Sequence, residues 1–176
     1  PMPIKCAGAP QKAMYLSCDA WLERGLLGDI DVEFRNAGGV LFGVKEYVPA
    51  LMEYVEKYGI DLKLNQTLVA VNGAGKKAVF KTEAGEETVE FDMLHAVPPQ
   101  VAPQFVADSP LANAESGFVD VDKFTLQHVR YPNVFGIGDA GSTPNAKTMA
   151  AARKQAPVVA VNALAQLDAK QPVTDY

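Results

Sequence analysis

The sequence predicts an α/β fold of the nucleotide-binding type, in which strands and helices alternate before a small antiparallel meander. Three observations predict it. Apolar residues recur at i, i+3, i+4 and i+7 from Val44 to Tyr58, as on the buried face of a helix. Short strand-like runs flank this helix, at 30–34 and 62–64, and further short runs separated by turns follow from 68 to 91. Strands alternating with helices, followed by a small antiparallel layer, are typical of a nucleotide-binding domain.

The remaining elements of the first half follow from local signals. A first helix is expected over 10–24, because Gly25 provides its C-terminal stop. The expected strands are, in chain order, 3–5, 30–34, 62–64, 68–71, 78–80, 89–91 and 93–97, the last of which stops at Pro98-Pro99. The joint between the first strand and the first helix reads CAGAP, where a nucleotide-binding turn normally carries G-x-G-x-x-G.

The second half, from about 106, is rich in turns and contains expected strands at 118–121 and 134–137. The second of these runs into Gly138-Asp139, and an alanine-rich helix is expected from about Ala146, kinked or divided by Pro157. A strand, a Gly-Asp pair and a helix N-terminus form a known arrangement for a flavin dinucleotide. The glycine allows close approach, the carboxylate accepts bonds from sugar hydroxyls, and the helix N-terminus faces negative charge. The alternative is that Asp139 is an ordinary turn residue.

Composition argues against a nucleic-acid-binding surface, a membrane-spanning helix and a metal site. The net charge of −5 over 176 residues argues against a nucleic-acid partner, which needs a basic face. No apolar run reaches the roughly 18 residues of a bilayer-spanning helix. The two histidines, His95 and His128, are too few and too scattered for a metal site, and each is expected to be structural.

The two cysteines differ in their expected roles. Cys6 precedes the first helix, next to Lys5 and one turn from Lys12, so the helix dipole and nearby charge are expected to favour its reactive thiolate. The alternative is that Cys6 is a small buried hydrophobe. Cys18 lies twelve residues later on the first helix, roughly 10–15 Å away, beyond the reach of a disulfide. It is expected to be a packing residue.

Four stretches together resemble the sulfide:quinone oxidoreductases, which are flavoproteins of the two-dinucleotide-domain disulfide reductase superfamily. They are, in chain order, PIKCAGAPQKAMYL, FGVKEYVPAL, AVPPQVAP and FGIGDAGSTPNAKTMAAARKQAPVV. The resemblance spans nearly the whole chain, but the family's N-terminal GxGxxG flavin motif and its C-terminal membrane-binding segment are not among these residues. It therefore implies an internal fragment. Residues 1–105 would be the second, pyridine-nucleotide-type domain, a Rossmann-like three-layer domain with an antiparallel meander, and 106–176 the C-terminal piece of a split FAD-binding domain.

The resemblance implies an enzyme that oxidises sulfide through a redox-active cysteine pair and passes the electrons through FAD to a quinone. Cys6 matches the first cysteine of the pair, and the second would lie a few residues beyond Tyr176. The membrane surface would be reached through a segment outside this chain, so the parent would be a peripheral membrane protein. No nucleic-acid partner is implied.

The resemblance also implies cofactor-binding residues. Gly138 and Asp139 match the Gly-Asp turn that holds the flavin dinucleotide. The stretch around Lys147 and Thr148 would bring backbone N–H groups to the pyrimidine side of the flavin, where they would stabilise the anionic reduced ring. Pro98 would lie beside the flavin and the quinone pocket.

Two alternatives remain open. A nicotinamide-dependent dehydrogenase or disulfide reductase would need G-x-G-x-x-G at the first turn, where this chain has CAGAP. A scaffold or dimerisation domain would need no chemistry. For the chain alone, the expectation is a soluble, inactive fragment without FAD. It would self-associate through apolar residues of the last helix, namely Val158, Val159, Val161, Leu164 and Leu167.

Overall fold

The computed structural model describes residues 1–176, which separate into unit 1 (Pro1–Pro99) and unit 2 (Gln100–Tyr176). The elements of unit 1 are α1 (Gly8–Glu23), β1 (Glu33–Arg35), α2 (Val48–Lys57), β2 (Asp61–Lys63), β3 (Thr67–Asn72), β4 (Lys77–Thr82) and β5 (Gly85–Glu90). Strands β1 and β2 pair in parallel, and β3, β4 and β5 form an antiparallel sheet in that order. The predicted α/β class, with its helix between parallel strands and its meander, is confirmed.

The core of unit 1 lies beneath α1 and α2. Its buried members are Cys18, Leu41, Val55, Tyr58 and Ile60. Cys18 is fully buried there, and burial raises the pKa of its thiol. Its prediction as a packing residue is confirmed.

A single arginine links the two sheets of unit 1. Arg35, at the end of β1, donates from Nη1 to Gln66 at 2.5 Å and to Glu87 of β5 at 2.8 Å. Its Nη2 also reaches Glu87 at 3.1 Å, and its Nε donates to Glu33 at 2.7 Å. The guanidinium lies 4.7 Å from the ring centroid of Phe80 on β4. The planar five-donor fork of arginine suits this arrangement of several acceptors around one cation.

Three expectations for unit 1 are wrong. Residues 3–5 and 93–97 form no strand, and Met93 is 69% exposed. Neither segment pairs with another strand, and isolated strand-like sequences need such a partner. The second helix begins at Val48, after a 3-10 turn at Lys45–Tyr47, so the first turn of the apolar stripe is exposed.

Unit 2 contains a short helix, α3 (Gln104–Ala107), and a long helix, α4 (Met149–Leu167). The expected strands at 118–121 and 134–137 occur only as isolated bridges, such as Val121 with His128 and Gln127 with Phe135. These segments follow turns closely, and each finds only single-residue pairings. The two segments therefore make strand-like pairings at single residues, but no continuous β-ladder forms.

Helix α4 starts at Met149, three residues later than expected, where Thr148 provides the N-cap. Pro157 does not divide it, and the helix continues to Leu167. Val161, Leu164 and Leu167 are exposed, whereas Val158 is buried within the chain, so its inclusion in the uncovered face was wrong. None of the helices combines the length and apolar character that crossing a bilayer requires.

Candidate functional site

Cys6 lies two residues before α1, in the segment that leads into that helix. Its carbonyl accepts a hydrogen bond from Ala9 N at 3.2 Å, which places the thiol residue against the beginning of the helix. Cys6 is partly exposed and free, whereas the other thiol, Cys18, is fully buried. Accessibility therefore separates the two cysteines, since a thiol must be reached by its reactant before it can exchange.

Pro98 also lies in unit 1, in the exposed segment that follows β5. The main cavity of this unit is an open groove of about 1330 Å³ lined by residues of α1, β1 and the meander, among them Met14, Trp21, Phe34 and Phe80. Neither Cys6 nor Pro98 lines this groove. Ala7, next to Cys6, and Val97, next to Pro98, do line it, so both residues adjoin the groove in sequence. Of the two, only Cys6 supplies redox chemistry.

In unit 2 the Gly138-Asp139 pair forms a tight turn against α4. Gly138 has a φ of +58°, and a Cβ at this position would lie 3.3 Å from Cβ of Ala152. A side chain here would therefore be disfavoured both by backbone conformation and by the packed helix. Asp139 is exposed. The turn thus combines a close backbone approach with an accessible carboxylate.

Helix α4 begins nine residues after this turn, at Met149. The hydroxyl of Thr148 accepts from Ala151 N at 3.1 Å and so caps the helix. Lys147 donates from Nζ to the carbonyl of Gly141 and lies 4.4 Å from the ring centroid of Phe118. Its side chain therefore lies across its own loop, and the remaining first-turn N–H groups of α4 are what this helix end offers to an anionic ligand.

Two further residues of this region were not predicted from the sequence. Gln155 of α4 is fully buried, and its Oε1 accepts from Gly138 N at 2.7 Å. Thr143, in the loop between the turn and α4, is 6% exposed, and its hydroxyl has no hydrogen-bond partner. Because buried hydroxyls are nearly always paired, Thr143 leaves one polar position for a ligand or water. No sequence pattern distinguishes either residue from ordinary helix and loop residues.

His128 has the structural role that was predicted. It is 3% exposed, and its Nδ1 accepts from Arg130 N at 2.9 Å and from Tyr131 N at 3.1 Å. Since Nδ1 accepts, Nε2 carries the proton and donates to Leu111 O at 3.1 Å. Both ring nitrogens are therefore satisfied within unit 2.

The chain is similar in sequence to curated sulfide:quinone oxidoreductases. It is 42% identical to the mitochondrial enzyme of Dictyostelium discoideum over 160 residues, which are 90% of this chain and 35% of that protein. It is 39% identical to the mitochondrial enzyme of Mus musculus over 177 residues, 99% of this chain and 39% of that protein. The chain thus spans between a third and two fifths of the length of these relatives. No protein-family profile matches it.

Solved structures give the same fold. The sulfide:quinone oxidoreductase of Aquifex aeolicus matches with a TM-score of 0.78 and 19% identity, over 94% of this chain and 42% of that one. A chain of the Tetrahymena thermophila mitochondrial ATP synthase matches with a TM-score of 0.63 and 31% identity, over 82% of this chain and 35% of that one. The expected similarity to the sulfide:quinone oxidoreductases, over one part of their length, is confirmed.

Proposed function

The chain is homologous to one part of the sulfide:quinone oxidoreductases, and we propose that it supplies such an enzyme with a sulfide-reactive cysteine and part of its flavin site. The observation that carries this proposal is the 42% identity over 90% of the chain. Within it, Cys6 is free and accessible at the start of α1, while Cys18 is sealed in the core. The domain roles proposed for 1–105 and 106–176 follow from the same homology.

Cys6 would act as one half of a disulfide whose other cysteine lies outside these residues. Hydrosulfide attacks the disulfide, a new sulfur–sulfur bond forms as a persulfide on one cysteine, and the other cysteine leaves as a thiolate. The attacking sulfur is oxidised and the disulfide is reduced by the same two electrons.

The residues of unit 2 fit a bound dinucleotide. A Cβ on Gly138 would lie 3.3 Å from Cβ of Ala152, so glycine lets this turn pack closely against α4, and Asp139 presents an accessible carboxylate to sugar hydroxyls. The buried, unpaired hydroxyl of Thr143 is a further polar position in the same loop. Backbone N–H groups around Lys147 and Thr148 would face the pyrimidine side of the flavin and stabilise its anionic reduced ring. When bound, FAD would supply the two-electron acceptor that a cysteine pair needs to be reoxidised.

Quinone as electron acceptor, with Pro98 beside its pocket, and contact with a membrane surface are proposed from the homology alone. A further proposal concerns whether a chain of these 176 residues alone retains FAD. We propose that it does not, since part of the site would lie in the rest of the enzyme. The exposed Val161, Leu164 and Leu167 support self-association of the isolated chain.

The likeness to a chain of the Tetrahymena ATP synthase favours a second candidate. A chain with this fold could serve as a structural component of a large assembly, without flavin chemistry. The two candidates differ in what they require of unit 2, because only the first needs the Gly138-Asp139 turn to contact a cofactor.

The test uses the full-length protein that contains this chain, purified under air and then made anaerobic. The enzyme proposal predicts a yellow protein whose visible flavin absorbance is bleached by sulfide and not by NADH. Bleaching by NADH alone would indicate a nicotinamide-dependent relative. A colourless preparation that binds no added FAD would support the structural component instead.

A further inference from the structure

Gln155 is a side chain of α4 that bonds directly to the backbone of the Gly138-Asp139 turn. It is fully buried, and its Oε1 accepts from Gly138 N at 2.7 Å. Its Nε2 lies 3.5 Å from Oδ1 of Asn145, farther along the same loop. The amide therefore spans the loop from the turn to the residues that precede the helix.

This bond ties the turn to α4. The Gly138 N–H is directed at the helix, and leaving a buried N–H without an acceptor is unfavourable. The approach of turn to helix is also limited by contact, since even a Cβ on Gly138 would meet Ala152 at 3.3 Å. Packing sets the closest distance, and the Gln155 carbonyl fixes the turn at that distance.

We infer that Gln155 is a positioning residue for the proposed flavin site, holding Asp139 in place through the backbone of Gly138. The inference rests on the proposed function, because it assigns a purpose to the fixed turn. Because Gln155 is fully buried, it would act through the turn and not by contact with the cofactor. Its loss should therefore lower FAD affinity without removing any group that contacts the cofactor.

The chain offers a matched control on the same helix. Asn162 lies seven residues along α4, on the same face, and is equally fully buried. It bonds to backbone groups, donating to Thr125 O at 3.0 Å and Thr174 O at 2.9 Å and accepting from Val173 N and Thr174 N at 2.9 and 3.1 Å. None of these partners belongs to the Gly138-Asp139 turn.

The experiment measures the FAD dissociation constant of the full-length protein after the cofactor is removed and restored, together with the melting temperature of each apoprotein. Gln155→Met keeps the length of the side chain and removes the acceptor, and we expect at least a tenfold weaker binding of FAD. Gln155→Glu keeps an oxygen for the Gly138 N–H, and we expect binding within threefold of wild type. Asn162→Leu should lower the melting temperature at least as much as Gln155→Met, yet leave FAD binding within threefold.

Three results would overturn the inference. One is unchanged FAD binding by Gln155→Met, and another is equal weakening by Gln155→Met and Asn162→Leu, which would indicate general destabilisation. The third is a loss in Gln155→Glu as large as in Gln155→Met. If Gln155→Met gives no folded protein, Gln155→Asn, whose amide is one methylene too short for Gly138, replaces it with the same expectation. Asp139→Ala separates this inference from the proposed function. Unchanged FAD binding in that variant would show that the Gly138-Asp139 turn is not part of a flavin site, and the proposed function would then fail independently of Gln155.

Discussion

Replacing Arg35 by methionine should destabilise unit 1 by about 2–3 kcal/mol. The side chain is 5% exposed and bonds to Glu33, Gln66 and Glu87 while it lies over Phe80. Hydrogen bonds to charged groups contribute about 1.5–3 kcal/mol when buried, and a cation over an aromatic ring about 0.5–1 kcal/mol. The two carboxylates are 36% and 45% exposed, which screens their share and keeps the total at the low end. Methionine retains the packing of the stem, so the loss reports the guanidinium.

The assay is urea unfolding followed by the fluorescence of Trp21, the single tryptophan, which packs against the core of unit 1. With a urea dependence of about 1–3 kcal/mol per molar, the midpoint should fall by about 1–2 M. Arg35→Lys should lose about half as much, because an ammonium cannot reach all three partners. Lys76→Ala, which removes an exposed ion pair with Asp92, should leave the midpoint at the wild-type value. If Arg35→Met also leaves it there, the two sheets are not held together by this side chain.

The remaining predictions concern thiols, acid and the Gly-Asp turn. A thiol reagent should modify Cys6 in the native chain and Cys18 only after denaturation, and rapid native labelling of Cys6→Ser would contradict the assigned burial. The hydrogen bond from Arg35 lowers the pKa of Glu87, so the stability it provides is present above about pH 4.3, the pKa of an unfolded glutamate, and is lost as pH falls through the lower folded pKa. In Glu87→Gln the urea midpoint, followed by Trp21 fluorescence, should therefore change less with pH between about pH 5 and pH 3 than in wild type. The same pH dependence in both proteins would oppose this assignment. Asp139→Ala in the full-length protein should reduce bound FAD about tenfold, because a sugar hydroxyl loses its acceptor; full FAD content would make Asp139 only a turn residue.

The periodicity of apolar residues predicted the elements whose stabilising contacts lie close in sequence. The apolar stripe at 44–58 identified α2, and the turns of the meander identified β3, β4 and β5. Residues 93–97 carry the same kind of apolar run and form no strand. A strand needs a hydrogen-bonded neighbour, and local sequence does not say whether one is available.

The candidate site was predictable where a residue type carries the chemistry. A cysteine at a helix start and a Gly-Asp pair before a helix can be found by reading the sequence, and the structure gives them the turn and exposure described above. Gln155 and Thr143 could not be found in this way. Their importance depends on burial and on a partner seventeen residues away or on the lack of any partner, and neither property is written in local sequence.

Reduction of the flavin by sulfide in Cys6→Ser tests the central claim most directly. The full-length protein is mixed with sulfide under anaerobic conditions, and the visible flavin absorbance is followed in wild type, Cys6→Ser and Cys18→Ser. The account predicts that wild type and Cys18→Ser bleach at similar rates, and that Cys6→Ser holds its flavin but does not bleach. Bleaching of Cys6→Ser at the wild-type rate would contradict the assignment of Cys6 as the sulfide-reactive residue.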